Sequence, residues 1–414
     1  MRILMLLDHG FPPDIRVENE AIALLEAGHE VHLLCRNDQR GNVEVPAVLD
    51  KLILHVRPRA DGTHRWKRHL SNLPNYWFLN LYWLREIKSL AREQGGFDAI
   101  HVHDLPLLRT ALWAARSTGS SVVGDMHENY PMALPFYKVS KALDWRRRFQ
   151  FAPRRWRRYE RKSLPTCASV IAVVDEMKAR LVSVGVPAGK ITLVENYVDV
   201  DRFLSYDLDG DLRAGFPQSS FVIGYAGVFG RTRGLDMAVR AMQTVVQEVP
   251  DAIMVMVGEG PIKEDLERLS LDLGLGKNIL FEGRVPFESV PSYVAASDVC
   301  ILPLVKTVQT DAGLAHKIFQ YMLLGKAFVA SDCEATRRVV TDAGCGLLAP
   351  PGDSAAFGKA LLQLRDPKLR EELGSNGRRA VLDRYNWAAA AERLTGMYDS
   401  LQRAADVRVG SAKT

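Results

Sequence analysis

The stretch ILMLLDHGFPPDIRVENEAIALLEAGHEVHLLC, residues 3–35, decides the fold. Residues 3–7 are continuously apolar and stop at Asp8, the pattern of a short strand buried on both faces. Pro12-Pro13-Asp14 reads as a loop. Apolar positions then recur at helical spacing over residues 17–27 and end at Gly28, a helix stop signal. Residues 31–35 are apolar again. Strand, helix and strand in such a short span predict a βαβ unit of Rossmann type.

Working outward, further strands are expected at residues 53–56, 99–102, 122–124, 170–174 and 191–194, with helical segments between most of them. A second series is expected at residues 221–226, 253–257, 279–281, 299–302 and 327–330. Residues 199–220, rich in Asp, Gly and Ser, read as the linker between the two. The prediction is an α/β protein of two facing, doubly wound, Rossmann-like domains. Residues 1–200 form the first, residues 201–386 the second, and residues 387–405 a helix packing back toward the first, followed by a frayed tail. Ligands of such sheets bind at the carboxyl ends of the strands, so the interdomain cleft is the expected site.

A chain of 414 residues, 47% hydrophobic and 25% charged, suits two such domains and excludes a disordered or fibrous protein. The net charge of +5 favours anionic partners such as nucleotides, phospholipids or phosphorylated carriers, and is too small to argue for nucleic acid. Five cysteines without Cys-x-x-Cys spacing read as buried, reduced thiols. The first apolar run is too short for a signal peptide, and no uncharged run approaches a bilayer span. The expectation is a cytoplasmic protein, peripheral on the inner membrane face.

The second half carries a set of short motifs in order. They are Gly227, Arg233-Gly234-Leu235, Val257-Gly258-Glu259-Gly260-Pro261, Phe281-Glu282-Gly283-Arg284-Val285 and Ser297-Asp298-Val299. Gly313-Leu314-Ala315-His316-Lys317, Gly325-Lys326-Ala327, Pro350-Pro351-Gly352-Asp353 and Tyr385-Asn386-Trp387 follow. In the first half Asp14-Ile15-Arg16, Gly28-His29-Glu30-Val31, His103-Asp104, Asp125-Met126-His127-Glu128 and Asn196-Tyr197-Val198-Asp199 fit the same pattern. Together these resemble the retaining glycosyltransferases of GT-B fold, family-4 type, over essentially the whole chain. The resemblance implies transfer of a sugar from a nucleotide-diphosphate donor to a hydroxyl of a glycan or lipid-linked carrier, with no cofactor and no metal. Two departures stand out. The family's Arg after the glycine falls on Val228, with Arg231 nearby, and its Glu pair falls on Ala312 and Gln320, with Asp311 adjacent.

A diphosphate leaving group needs fixed donors for its growing charge. Arg233 and Arg231, after the first strand of the second domain, read as phosphate ligands or as solvated loop cations. Gly313 reads as the start of a helix with His316 and Lys317 in its first turn. Lys317 is then a phosphate ligand, or a surface or capping cation. The resemblance implies donor contacts also from Gly227, Gly283, Arg284, Val285, Asp311 and Leu314, and puts Gln320 at the ribose; a plain helix-surface role is the alternative for Gln320. On the acceptor side it implies Asp14, Arg16, His127 and Glu128, with His127, Arg233 and Lys317 as the catalytic set. His101, His103 and His127 admit a metal reading, which the lack of zinc spacing and of carboxylates other than Asp104 disfavours. The Asp-x-Asp strings at residues 199–201, 207–209 and 209–211 read as solvated linker acids. A non-catalytic GT-B subunit and a nucleotide-sugar epimerase stay open beside the transferase.

Residues 145–162 interleave nine Arg and Lys with Trp145, Phe149, Phe151, Trp156 and Tyr159, and residues 66–83 add further aromatics. This composition fits an anionic membrane surface, or a solvated basic helix flanked by core aromatics. Nucleic acid is the weakest reading.

Overall fold

The computed structural model describes residues 1–12, 14–37, 47–58, 78–134, 152–217 and 220–411. The chain divides into two compact units, Met1–Glu195 with Ala390–Thr414, and Asn196–Ala389. Much of the basic-aromatic composition noted above, residues 66–77 and 145–151, lies outside the described residues.

The first unit is built on a seven-stranded, all-parallel sheet: β1 (Arg2–Leu6), β2 (Glu30–Asn37), β3 (Ile53–Pro58), β4 (Ala99–His103), β5 (Ser121–Met126), β6 (Ser169–Ala172) and β7 (Ile191–Leu193). The spatial order is β3-β2-β1-β4-β5-β6-β7. Helices cover both faces of such a sheet, which is why β1 is apolar from Ile3 to Leu6 rather than alternating and β4 is buried at all five positions, His101 and His103 included. The helix Ile15–Glu26 starts where the Asp14 carboxylate accepts the Val17 N–H at 3.2 Å. It ends before Gly28, whose φ of 81° suits a residue without Cβ.

The second unit has a six-stranded parallel sheet: β8 (Val222–Ala226), β9 (Ile253–Val257), β10 (Ile279–Gly283), β11 (Val299–Leu302), β12 (Phe328–Ser331) and β13 (Gly346–Ala349). Its order is β10-β9-β8-β11-β12-β13. Strand β13 was absent from the sequence expectation; it is a four-residue edge strand with three half-buried positions. The apolar core lies between this sheet and the helices Leu235–Glu248 and Ser354–Gln363. Strand order reverses between β1 and β4 in one sheet and between β8 and β11 in the other, so each has a crevice at its switch point.

The last helix, Trp387–Ser411, runs beyond the expected residue 405. From Ala390 it belongs to the first unit. Arg393 donates to the Leu193 carbonyl at 2.9 Å and pairs with Glu195. Leu394 and Tyr398 are wholly buried. No helix among the described residues is long and apolar enough to cross a membrane. All five cysteines are buried and free.

Removing a wholly buried aromatic leaves a cavity. Tyr398→Ala is therefore expected to lower the stability of the first unit by about 3–5 kcal/mol. Urea unfolding followed in the two units separately checks this, with the second unit's transition unmoved.

Candidate functional site

In the second unit the loops at the carboxyl ends of the strands are tied together by backbone hydrogen bonds. Gly227 N–H donates to Val257 O at 2.8 Å, Phe229 N–H to Glu259 O at 2.9 Å and Gly258 N–H to Gly283 O at 2.7 Å. Val305 N–H donates to Thr232 O at 3.0 Å, which joins the loop after β11 to the one after β8. The ties join these loops into one floor around the switch point.

On that floor Arg231–Arg233 form a single 3-10 turn rather than an open loop. It closes at Gly234, with φ of 58°, where any Cβ would collide with the Pro303 carbonyl. Arg233 is half-buried and Arg231 exposed. The Lys317 ammonium sits 3.8 Å from the centre of the Tyr225 ring. It fills the space a side chain at Gly227 would need. Desolvation, with the nearby Arg233 charge, holds the Lys317 pKa well below its usual value. Neither Arg233 nor Lys317 forms an ion pair with a carboxylate among the described residues. Two neighbouring cations, one of them poorly hydrated, are thus left without an anion.

The helix expected from Gly313 starts four residues later, at Lys317, with His316 as N-cap. A separate turn, Val308–Asp311, precedes it, capped by Thr307. Gly313 and Leu314 lie in the half-buried connection between the two. Burial drives the His316 pKa down to about 4, so its imidazole is neutral. Gln320 is 5% exposed, which removes the helix-surface reading, and its amide makes no side-chain hydrogen bond among the described residues. Asp311 is engaged elsewhere: Oδ1 accepts the Glu334 N–H at 2.9 Å and lies 3.8 Å from Lys306 Nζ. Arg284 is exposed, while Gly283 and Val285 are half-buried at the end of β10. Val228, where the family has Arg, is 62% exposed. Asp199 caps the short helix Val200–Leu204, and Asp209 accepts the Asp211 N–H, so these linker acids serve local structure.

The first unit treats charge differently. His127 follows β5, and register pairs Asp125 with His103 across β4. Asp125 takes a close ion pair from His127 Nε2 and bonds from Arg16 Nη2 at 2.8 Å and Nε at 3.3 Å. Arg16 Nη2 also lies 2.7 Å from Glu20, and its Nη1 donates to Val194 O at 3.0 Å. Arg16, expected to meet the acceptor, is therefore 8% exposed and committed to an internal network. Asp14, the other acceptor-side candidate on this helix, is its N-cap. Glu128 is half-buried directly after His127. His101 Nε2 approaches Glu20 at 3.4 Å and Asp125 at 3.6 Å, and its Nδ1 is hydrogen-bonded to Tyr398 Oη at 2.8 Å.

Glu20, His101, His103 and Asp125 converge, with ligating atoms within 4.8 Å of one another. The carboxylates needed for a metal reading thus exist, but Arg16 and His127 already supply two positive charges against them. Sequence reading missed Glu20 and Tyr398. The i, i+4 spacing of Arg16 and Glu20 was the available signal for Glu20; nothing local marks Tyr398.

Burial disfavours the His127 cation, but Asp125 and then Asp104 outweigh it and lift the pKa to about 10. Burial raises Asp125, yet Arg16 and His127 hold it well below its usual range. Burial pushes Glu20 upward against the pull of Arg16.

With this geometry in view, the comparisons are specific. Residues 15–202 match the family described as Glycosyltransferase Family 4, and residues 220–366 match Glycosyl transferases group 1. A phosphatidyl-myo-inositol mannosyltransferase of Mycolicibacterium smegmatis is 24% identical over 98% of this chain and 95% of its own. A GDP-mannose-dependent alpha-(1-6)-phosphatidylinositol monomannoside mannosyltransferase of the same species is 28% identical over 57% of this chain; the match spans 64% of that relative's length. The sucrose-phosphate synthase structure from Thermosynechococcus elongatus superimposes with a TM-score of 0.76 over 97% of this chain and 99% of that one, at 21% identity, which establishes the fold alone. The fold and the ordered motifs define a GT-B glycosyltransferase architecture. The chain belongs to the family-4, group-1 glycosyltransferases.

The linkage at His127 has a sign. Its pKa in the fold, about 10, exceeds the ordinary 6.5. The stabilisation it brings is complete below pH 6.5 and is lost as pH rises through 10. Unfolding free energies of wild type and His127→Asn from urea titration, compared at the two ends of that window, are expected to differ by at least about 1 kcal/mol less at the alkaline end.

Proposed function

We propose that the protein transfers a sugar from a nucleotide-diphosphate donor to a hydroxyl of a glycan or lipid-linked carrier, with retention at the anomeric carbon. The observation that carries this is the carboxylate-free cation pair, Arg233 and Lys317, on the floor at the β8–β11 switch point. Among the described residues such a pair has no carboxylate partner, and a diphosphate supplies an anion. The GDP-mannose dependence in the name of one relative supports a donor of that class.

In the proposed reaction the bond from the anomeric carbon to the diphosphate oxygen breaks and the acceptor oxygen bonds to the same face. The acceptor's proton passes to the leaving phosphate oxygen. No carboxylate is assigned as nucleophile, because Asp311 caps a neighbouring helix and position 320 is an amide. Arg233 and Lys317 stabilise the charge that develops on the phosphate, with Arg231 able to join from the same turn. Gln320 offers its unbonded amide to the ribose hydroxyls. Gly283, Arg284 and Val285 form the base side, Gly227 lets the diphosphate approach Lys317, and Gly313 and Leu314 border it. On the first unit His127 is the acceptor-side group. A cation at neutral pH with Nε2 committed to Asp125, it has its Nδ1–H to donate to a sugar hydroxyl rather than taking a proton. The exposed cations of the helix Pro153–Ser163, Arg154, Arg157, Arg158, Arg161 and Lys162, favour an anionic membrane surface. Trp156 and Tyr159 are buried, so the aromatic anchoring that composition suggested for them is withdrawn.

Arg233→Ala is expected to weaken nucleoside-diphosphate binding by about 1–3 kcal/mol. Lys317→Met should weaken it too while leaving the fold as stable or up to about 1 kcal/mol more stable, because it removes a poorly solvated charge. Calorimetry and thermal unfolding test both, and unchanged affinity in both variants would overturn the site.

We also propose that phosphate charge is met by these side chains without a metal. Transfer from the nucleotide sugar is then expected to persist at an undiminished rate in excess EDTA. Loss that Mg²⁺ or Mn²⁺ restores would refute this.

A further inference from the structure

A second cationic site lies in the first unit, at the other end of β5. The helix Leu108–Thr118 and the helix Pro153–Ser163 border a cavity of about 830 Å³ floored by Ser121, Val122 and Cys167. Arg116 comes from the first helix, and Arg158 and Lys162 come from the second. Among the described residues no Asp or Glu lines it. Arg158 and Lys162 stand at i, i+4, a spacing at which like charges repel. The only acid of that helix, Glu160, is buried and spent on Arg180, at 2.6 and 3.0 Å. The walls are aromatic. Tyr159 stacks on Phe78 with centroids 4.1 Å apart, and Arg116 lies over the exposed Trp113 ring. Ser121 opens β5 and His127 follows its end, so the cavity floor at Ser121 lies about 20 Å along the strand from His127.

Two helix faces that converge cations, without carboxylates, on a cavity with aromatic walls have the makings of an anion site with an apolar flank. We propose that this cavity binds a phosphomonoester or diphosphate group carried on an apolar body, at a site separate from the donor floor. It gives the surface reading of helix Pro153–Ser163 a defined pocket, and it does not depend on the donor assignment. A phosphate on a lipid headgroup and a phosphate on a soluble molecule present the same chemistry to Arg116, Arg158 and Lys162.

The experiment is calorimetric titration of the whole protein with inorganic pyrophosphate at low salt. Wild type is expected to show two sites. The double variant Arg158→Gln/Lys162→Gln, whose side chains are exposed and whose thermal midpoint should not move, is expected to lose one of them or weaken it at least tenfold. Arg233→Ala should weaken the other. A double variant that titrates like wild type overturns the cavity site. An Arg233→Ala protein that titrates like wild type overturns the donor floor and leaves the cavity standing. Sedimentation with phosphatidylcholine vesicles holding either phosphatidic acid or phosphatidylglycerol at matched surface charge separates the sources. Preference for phosphatidic acid that the double variant loses identifies a lipid headgroup. Pyrophosphate binding without vesicle preference identifies a soluble phosphate. Either supports the site.

Discussion

An ammonium held against a tyrosine ring, with an arginine beside it and no ion pair to a carboxylate among the described residues, is the constraint around which the second unit is arranged. Lys317 takes its position because residue 227 has no side chain, and Arg233 takes its own because residue 234 closes a turn against the Pro303 carbonyl. Both glycines sit at positive φ, where L side chains are strained. The strands beneath are plain apolar segments, and the backbone ties between Gly227, Val257, Gly258 and Gly283 keep the floor from relaxing around the charges. A protein selected only for stability would pair or remove such a cation. Its persistence at a sheet switch point is what makes the anion of a ligand the natural complement.

The first unit handles charge in the opposite way. Its two central carboxylates, Asp125 and Glu20, are buried and answered internally, Asp125 by Arg16 and His127, Glu20 by Arg16. The network reaches from the first helix to the last through His101 and Tyr398, so the returning C-terminal helix is part of what defines the environment of His127. Asp125 fixes the imidazole from beneath while Asp104, at φ of 62°, stands beside it with Oδ2 3.6 Å from Nδ1. The histidine is thereby kept a cation and kept in place. One unit thus offers unsatisfied positive charge, and the other a single oriented imidazolium on a closed base.

Much of the architecture was legible because buried parallel strands are short apolar runs punctuated by glycine and polar residues, as at residues 3–7 and 253–257. Strand β13 escaped because Gly346-Leu347-Leu348-Ala349 is brief, lies on the sheet edge and is mostly half-buried, so it lacks the signature. The start of the helix at Lys317 was misread because the capped turn at Val308–Asp311 imitates a helix N-terminus in sequence. For Trp156 and Tyr159 the composition left both a membrane-surface reading and a core reading open, and burial decides for the core. Their spacing of three places both on the face that packs inward, while the arginines occupy the other. The fate of Arg16 depended on Asp125, more than a hundred residues away, and no local pattern reports such a pairing. The resemblance named the glycines and cations of the second unit, and that the cations lack carboxylate partners among the described residues became visible only in three dimensions.

The central claim, that the cation pair on the donor floor serves a sugar transfer with retention, is tested most directly by the stereochemistry of the first product formed. Proton NMR of the anomeric signal, recorded from the earliest turnovers with an α-linked nucleotide-diphosphate sugar and a hydroxyl acceptor, reads it without ambiguity. The account predicts an α-linked product, formed by wild type and strongly diminished in Arg233→Ala. A β-linked product, or equal rates in the two proteins, would contradict it.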